Sequence, residues 1–129
     1  AYLKLIKIQH NSALAYNNLA WIVQEKDLKL AITYAEKALS LDKKNPLILD
    51  TVGMLLVRDG QIEQGSALLK QAVDIAPNNN ELLYHYAEVL VMQNHIAEAT
   101  PILYKLNQLE LGSSLKDRIK TLQTRVNNE

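Results

Sequence analysis

Apolar residues recur every three or four positions along most of the chain, and strict alternation of apolar and polar residues is nowhere sustained. This spacing is typical of amphipathic helices, whose buried face repeats about every 3.6 residues. Short polar turns containing glycine, asparagine or proline separate the apolar stretches, and such residues end one helix or start the next. The pattern predicts an all-α chain with helices at about 12–25, 28–41, 46–58, 62–75, 80–92 and 96–110.

Small residues return with a period of about 34 positions. Two series show it: Ala31, Gly65 and Ala99 at intervals of 34, and Ala20, Gly53 and Ala87 at intervals of 33 and 34. A period of this size indicates a helical repeat array. We expect the two series to face each other across each helix pair, because only small side chains let helices approach to about 8 Å. Short loops then make neighbouring helices antiparallel.

The repeat divides a single domain into five segments. Residues 1–11 are predicted to end a preceding repeat, 12–45, 46–79 and 80–111 to form three repeats, and 112–129 to form a capping helix. The last segment carries one apolar stripe, made of Leu115, Ile119, Leu122 and Val126. A repeat stack needs such a helix to cover its final apolar face.

The beginning of the chain has no comparable cap. Its apolar residues at helical spacing are Tyr2, Leu5 and Ile8, and there is no initiator methionine. We therefore expect the sequence to be a fragment of a longer protein, with weak homo-oligomerisation through this uncapped N-terminal helix.

The repeated positions resemble the tetratricopeptide repeat, whose loose signature places an aromatic, Leu-Gly and a tyrosine-like residue on the first helix and Ala, Phe, Ala and Pro later. The matching slots hold Tyr16, Leu49 and Leu83; Leu19-Ala20, Val52-Gly53 and Tyr86-Ala87; Val23, Leu56 and Leu90; Ala35, Leu69 and Leu103; and, for the closing proline, only Pro77. The resemblance implies a right-handed α-solenoid of antiparallel helix pairs. Its first helices would line a concave groove.

A finer resemblance concerns the segments 17–21, 35–39 and 49–53. They look like bacterial repeat lipoproteins associated with exosortase and exopolysaccharide export, the PEP-CTERM type. That resemblance implies a location in the cell envelope, on the periplasmic side. Without that resemblance, a location in the bacterial cytoplasm is an equal alternative.

The family's groove positions carry over to twelve residues of the first helices. They are Asn17, Asn18, Trp21 and Gln24; Asp50, Thr51, Met54 and Arg58; and Tyr84, His85, Glu88 and Met92. Aromatic, methionine and hydrogen-bonding side chains suit a peptide ligand or a partner helix. Other readings stay open: Trp21 as a helix contact, the two methionines as packing, and the charged residues as solvated groups.

Charge and motifs exclude several classes of function. The chain has 14 Lys plus Arg and 14 Asp plus Glu, so nothing favours nucleic acid. It has no cysteine and no apolar run long enough to insert into a membrane. No phosphate-binding loop, nucleophile elbow or metal-binding helix motif occurs. We expect no enzyme activity, cofactor or metal.

Two functions follow from these observations. The first is a non-catalytic protein–protein interaction scaffold that binds a peptide or partner helix in the groove. The alternative is a regulatory or substrate-presenting array attached to an enzyme, or to envelope export or assembly machinery, outside this fragment. Binding of chaperone tails through a terminal carboxylate is disfavoured, because the slots that would grip it hold Asn17, Asp50 and Tyr84.

Overall fold

A computed structural model describes residues 9–108 and 113–127, which form seven helices and no strand. The helices are α1 (Gln9–Val23), α2 (Leu28–Leu41), α3 (Pro46–Arg58), α4 (Ile62–Ile75), α5 (Asn80–Met92), α6 (Ile96–Asn107) and α7 (Ser113–Asn127). They pack as the antiparallel pairs α1–α2, α3–α4 and α5–α6, followed by α7. The predicted all-α fold of stacked helix pairs is confirmed. No helix in the described ranges is long and apolar enough to cross a membrane.

Local residues fix the helix ends. The side chains of Asp27, Asn45 and Asn79 accept hydrogen bonds from the first turns of α2, α3 and α5. Such N-caps satisfy backbone N–H groups that have no partner inside the helix. Gly60 and Asn94 follow α3 and α5 with φ of 89° and 62°, the left-handed conformation expected of these turns.

Close backbone contact joins the two helices of the middle pair. A Cβ built on Gly65 would lie 2.5 Å from the carbonyl oxygen of Gly53, so only glycine fits at that crossing. The equivalent residues of the other pairs, Ala20 with Ala31 and Ala87 with Ala99, are completely buried. The small-residue series therefore marks the helix crossings, as the period predicted.

The buried apolar residues form two clusters along the stack, the partly buried Leu39 and Leu68 pack against both, and α7 covers the second cluster. Leu115, Ile119 and Leu122 are buried among residues of α5 and α6, and Val126 packs partly against them. This is the apolar stripe predicted for the capping helix.

The helices are arranged so that the stack curves. Each of α1, α3, α5 and α7 contacts the next of these helices, whereas α2, α4 and α6 make no contact with one another across the described residues. The first helices of the pairs are thus the more closely spaced. They line the inner, concave side, and the second helices form the outer side.

The ends of α1 and α6 differ from the predicted helix boundaries, and two segments of the chain lie outside the described residues. α1 begins at Gln9, three residues before the start predicted at about residue 12. α6 ends at Asn107, and residues 109–112 lie outside the described ranges. Tyr2, Leu5 and Ile8 also lie outside them, so self-association through the N-terminal segment stays a prediction.

Candidate functional site

Eleven of the twelve sequence-predicted groove residues lie on the first helices α1, α3 and α5, and Gln24 lies in the turn directly after α1. The structure sorts them by exposure. Asn18, Trp21, Arg58 and Met92 are exposed; Gln24, Met54, His85 and Glu88 are half-buried; and Asn17, Asp50, Thr51 and Tyr84 are buried. We call the concave surface of the first helices the groove. Its rim is accessible, and its floor is made of polar side chains.

Trp21 is the main accessible aromatic side chain of the groove. Its indole N–H donates to Thr51 Oγ1 on α3 at 3.2 Å, and the Thr51 hydroxyl donates to the Leu47 carbonyl at 3.0 Å. Thr51 is buried, while 42% of Trp21 remains exposed. Both predicted roles of Trp21 therefore coexist, because the indole joins two repeats by one edge and leaves much of its surface open.

A contact between a half-buried histidine and a buried carboxylate connects the next two repeats. His85 Nδ1 on α5 lies 2.9 and 3.1 Å from the two carboxylate oxygens of Asp50 on α3. Its Nε2 lies 3.6 Å from Glu81. Asp50 is thus a buried partner of histidine and not a solvated charge.

The surroundings of His85 change its protonation. Burial alone lowers the pKa of His85, but the hydrogen bond and charge of Asp50, with the charges of Glu81 and Glu88, outweigh burial and raise the pKa above its ordinary value. The folded protein therefore favours the protonated ring more than a solvated histidine would.

Tyr84 does not present its ring to a ligand. The Arg118 guanidinium of α7 lies 4.6 Å from the ring centroid, and the Tyr84 hydroxyl donates to Glu88 Oε2 at 3.4 Å. Burial, followed by the charge of Glu88, raises the pKa of Tyr84, although Arg118 opposes that shift. The capping helix thus covers one aromatic residue that sequence reasoning placed on the groove surface.

A third contact between repeats lies at the end of α3. Arg58 donates a hydrogen bond to the side-chain carbonyl of Gln24, in the turn after α1, and it lies 3.7 Å from Glu25. Met54 packs partly against the core, while 47% of Met92 is exposed. Of the two methionines, only Met92 offers substantial free apolar surface.

Three residues that complete the groove were missing from the predicted set. They are Glu81, Glu25 and Arg118, which lies 3.5 Å from Glu81. Arg118 belongs to the capping helix, outside the repeats, so repeat register could not point to it. Glu81 and Glu25 are exposed charges, and only their neighbours on adjacent helices mark them.

Two polar groups in the groove have fewer partners than they could bind. Asn17 Oδ1 is buried and accepts no hydrogen bond from the described residues. Glu88 has no ion pair among the described residues, and only the Tyr84 hydroxyl bonds to it. The described residues contain no cluster of three or more His, Asp or Glu side chains that could hold a metal ion. The groove can therefore bind a peptide segment through both hydrogen bonds and apolar contacts.

Comparison with protein families gives two matches with one description. Models of the tetratricopeptide repeat match residues 6–45 and 56–110. Among curated proteins, none matches.

Solved structures give the same fold at low sequence identity. The second TPR domain of human RPAP3, in complex with the HSP70 peptide SGPTIEEVD, is 15% identical with a TM-score of 0.79, over 94% of this chain and 99% of that one. The Arabidopsis OM64 TPR domain is 12% identical with a TM-score of 0.80, over 93% and 98%. The Yersinia enterocolitica type III secretion chaperone SycD, in complex with a peptide of the translocator YopD, is 17% identical with a TM-score of 0.75, over 88% and 90%.

Proposed function

The chain belongs to the tetratricopeptide repeat family, and on that premise we propose that it is a protein-interaction scaffold that binds a peptide or partner helix in its concave groove. The observation that carries the proposal is the Trp21 indole, which is fixed by Thr51 and still 42% exposed. A rigid, accessible aromatic side chain is the kind of group that dominates binding energy at protein interfaces.

The cross-repeat contacts support the same function. Trp21–Thr51, Asp50–His85 and Gln24–Arg58 each join neighbouring repeats through polar side chains. These contacts hold the groove in one shape before a ligand arrives. Preorganisation reduces the conformational entropy lost on binding and so increases affinity.

Peptide-bound relatives of the fold add a second line of support. The human RPAP3 domain and the Yersinia chaperone were both solved with a peptide, and each aligns with most of this chain. The groove of this chain is formed by the same fold as in those two proteins. The two complexes are precedents for the binding of an extended or helical segment to this type of surface.

The finer expectations from the sequence remain proposals. We propose that the chain itself is non-catalytic, since its groove His, Tyr and Arg side chains are engaged in contacts between helices. An attached enzyme or an envelope export machinery outside residues 1–129 is the alternative setting. Neither the lipoprotein subtype nor a cytoplasmic or envelope location is supported by the comparisons, and each would be decided by the flanking sequence.

Selection from a phage-displayed library of random peptides tests the proposed function. Enriched peptides would be synthesised with a fluorescent label, and affinity for the protein would be measured by fluorescence polarisation. Trp21→Ala should weaken binding by about tenfold or more, because it removes the exposed anchor. Tyr104→Ala is the matched control, since Tyr104 is a 67% exposed aromatic on a second helix. Equal loss in both variants, or no enriched peptide, would contradict the proposal.

A further inference from the structure

Three groups of the groove with spare capacity for a ligand share one chemical property. Asn17 Oδ1 is a hydrogen-bond acceptor, Glu88 is a carboxylate bonded only by the Tyr84 hydroxyl, and the exposed indole face of Trp21 carries negative π-electron density. Asn17 is more than nine-tenths buried, and its oxygen has no donor among the described residues and little access to water. A buried acceptor in that state is expected to receive a hydrogen bond from a ligand or an ordered water.

The basic side chains of the groove, in contrast, all have an acidic neighbour. His85 lies against Asp50, Arg118 lies 3.5 Å from Glu81, and Arg58 lies 3.7 Å from Glu25. Glu88 is the groove carboxylate that has no basic partner among the described residues. The groove thus has surplus negative charge at Glu88, although the whole chain has a formal net charge of zero.

The helical register places these groups along one path. Asn17 and Trp21 are four residues apart on α1, so they lie on the same face one turn apart. Trp21, Met54 and Glu88 occupy the same position of the three successive repeats, at intervals of 33 and 34 residues. A ligand that crosses the stack therefore meets the indole, then a thioether, then the carboxylate.

We propose that the groove selects an extended peptide in which an apolar side chain is followed by a basic one. The proposal rests on the peptide-binding function above and names its ligand class. The apolar side chain packs on Trp21 and Met54, and the Lys or Arg side chain pairs with Glu88. An extended backbone has free N–H groups to donate to Asn17 Oδ1, whereas the N–H groups of a helix are already bonded within it.

This chemistry differs from that of an acidic tail. The human RPAP3 domain was solved with a peptide that ends in EEVD, which carries negative side chains. On this chain, Glu88 would repel such a peptide, and no described groove cation is free to receive it.

Three pools of synthetic peptides test the ligand class. All are acetylated, amidated and free of tryptophan, with random apolar residues at half the positions. The remaining positions hold Lys and Arg in the first pool, Asp and Glu in the second, and Ser and Gln in the third. Because Trp21 is the only tryptophan of the chain, its fluorescence reports occupancy of the groove directly.

The basic pool should bind most tightly, and Glu88→Gln should reduce its advantage about two- to fivefold. Glu88→Lys should shift the preference to the acidic pool. Glu36→Lys on α2 is the matched control for charge, since Glu36 is exposed on the outer side. Circular dichroism would verify that each variant is folded.

The possible failures are distinguishable. Preference for the acidic pool, or equal binding of all three pools, would overturn the ligand class and leave peptide binding intact. An unchanged preference in Glu88→Lys would also overturn it. If no pool changes the fluorescence of Trp21 and phage selection also fails, both the ligand class and the proposed peptide-binding function are refuted.

Discussion

Replacing Gly65 with alanine tests the packing that brings the helix pairs together. In a free helix this change is favourable by about 1 kcal/mol, because glycine loses more backbone entropy on folding. In the stack, the new Cβ would lie 2.5 Å from the Gly53 carbonyl oxygen and 2.6 Å from Val57 Cγ2. Ordinary van der Waals contact begins near 3.4 Å, so α3 and α4 must move apart by several tenths of an ångström or more.

The magnitude follows from these opposing effects. Overpacking in a tight core costs about 1–3 kcal/mol, and the upper part of that range applies because a backbone oxygen cannot change rotamer. After subtraction of the helix preference, Gly65→Ala should lower the free energy of unfolding by about 1–2 kcal/mol. Gly53→Ala should cost less, because its Cβ would lie 2.9 Å from the nearest backbone oxygen.

Urea denaturation followed by circular dichroism measures both variants. Gln64→Ala, at an exposed position of the same helix, is the control and should change stability by no more than about 0.5 kcal/mol. A Gly65→Ala protein as stable as the wild type, or more stable, would refute the close approach of α3 and α4.

Three further predictions concern the groove and the cap. Folding raises the pKa of His85, so the stability that the protonated ring adds should be complete below about pH 6.5 and lost as pH rises through the folded pKa. The urea midpoints of the wild type and His85→Gln should therefore converge at high pH. Thr51→Val removes the acceptor of the indole N–H, and time-resolved anisotropy should show a more mobile Trp21 with little change in helix content. Leu122→Ala should lower the free energy of unfolding by about 2–5 kcal/mol, whereas Lys120→Ala, exposed on the same helix, should not.

The sequence predicted the fold because its signals are local or periodic. Polar N-caps, Gly60 and Asn94 mark helix ends within a few residues, and each helix pair repeats the same small-residue crossing. Three repeats of one pattern make each position visible three times. The capping stripe of α7 was equally clear, because apolar spacing within one helix needs no knowledge of its neighbours.

The contacts within the groove could not be read in the same way. Asp50 and His85 are 35 residues apart on different helices, and their pairing depends on how α3 and α5 are rotated in the stack. Repeat register placed Tyr84 on the groove, but Arg118 of the capping helix covers its ring. Sequence register thus gave the path of the groove, whereas its exposure and charge balance required the packed structure.

Amide chemical-shift mapping tests most directly whether the groove is the binding surface. A labelled protein would be titrated with the tightest peptide from the selection, and its nitrogen–proton NMR spectra would be compared. The largest shifts should fall on the groove faces of α1, α3 and α5, including the Trp21 indole N–H, with α2, α4 and α6 little affected. Shifts concentrated on the second helices, or absent from Trp21 while the peptide is bound, would show that the groove is not the binding surface.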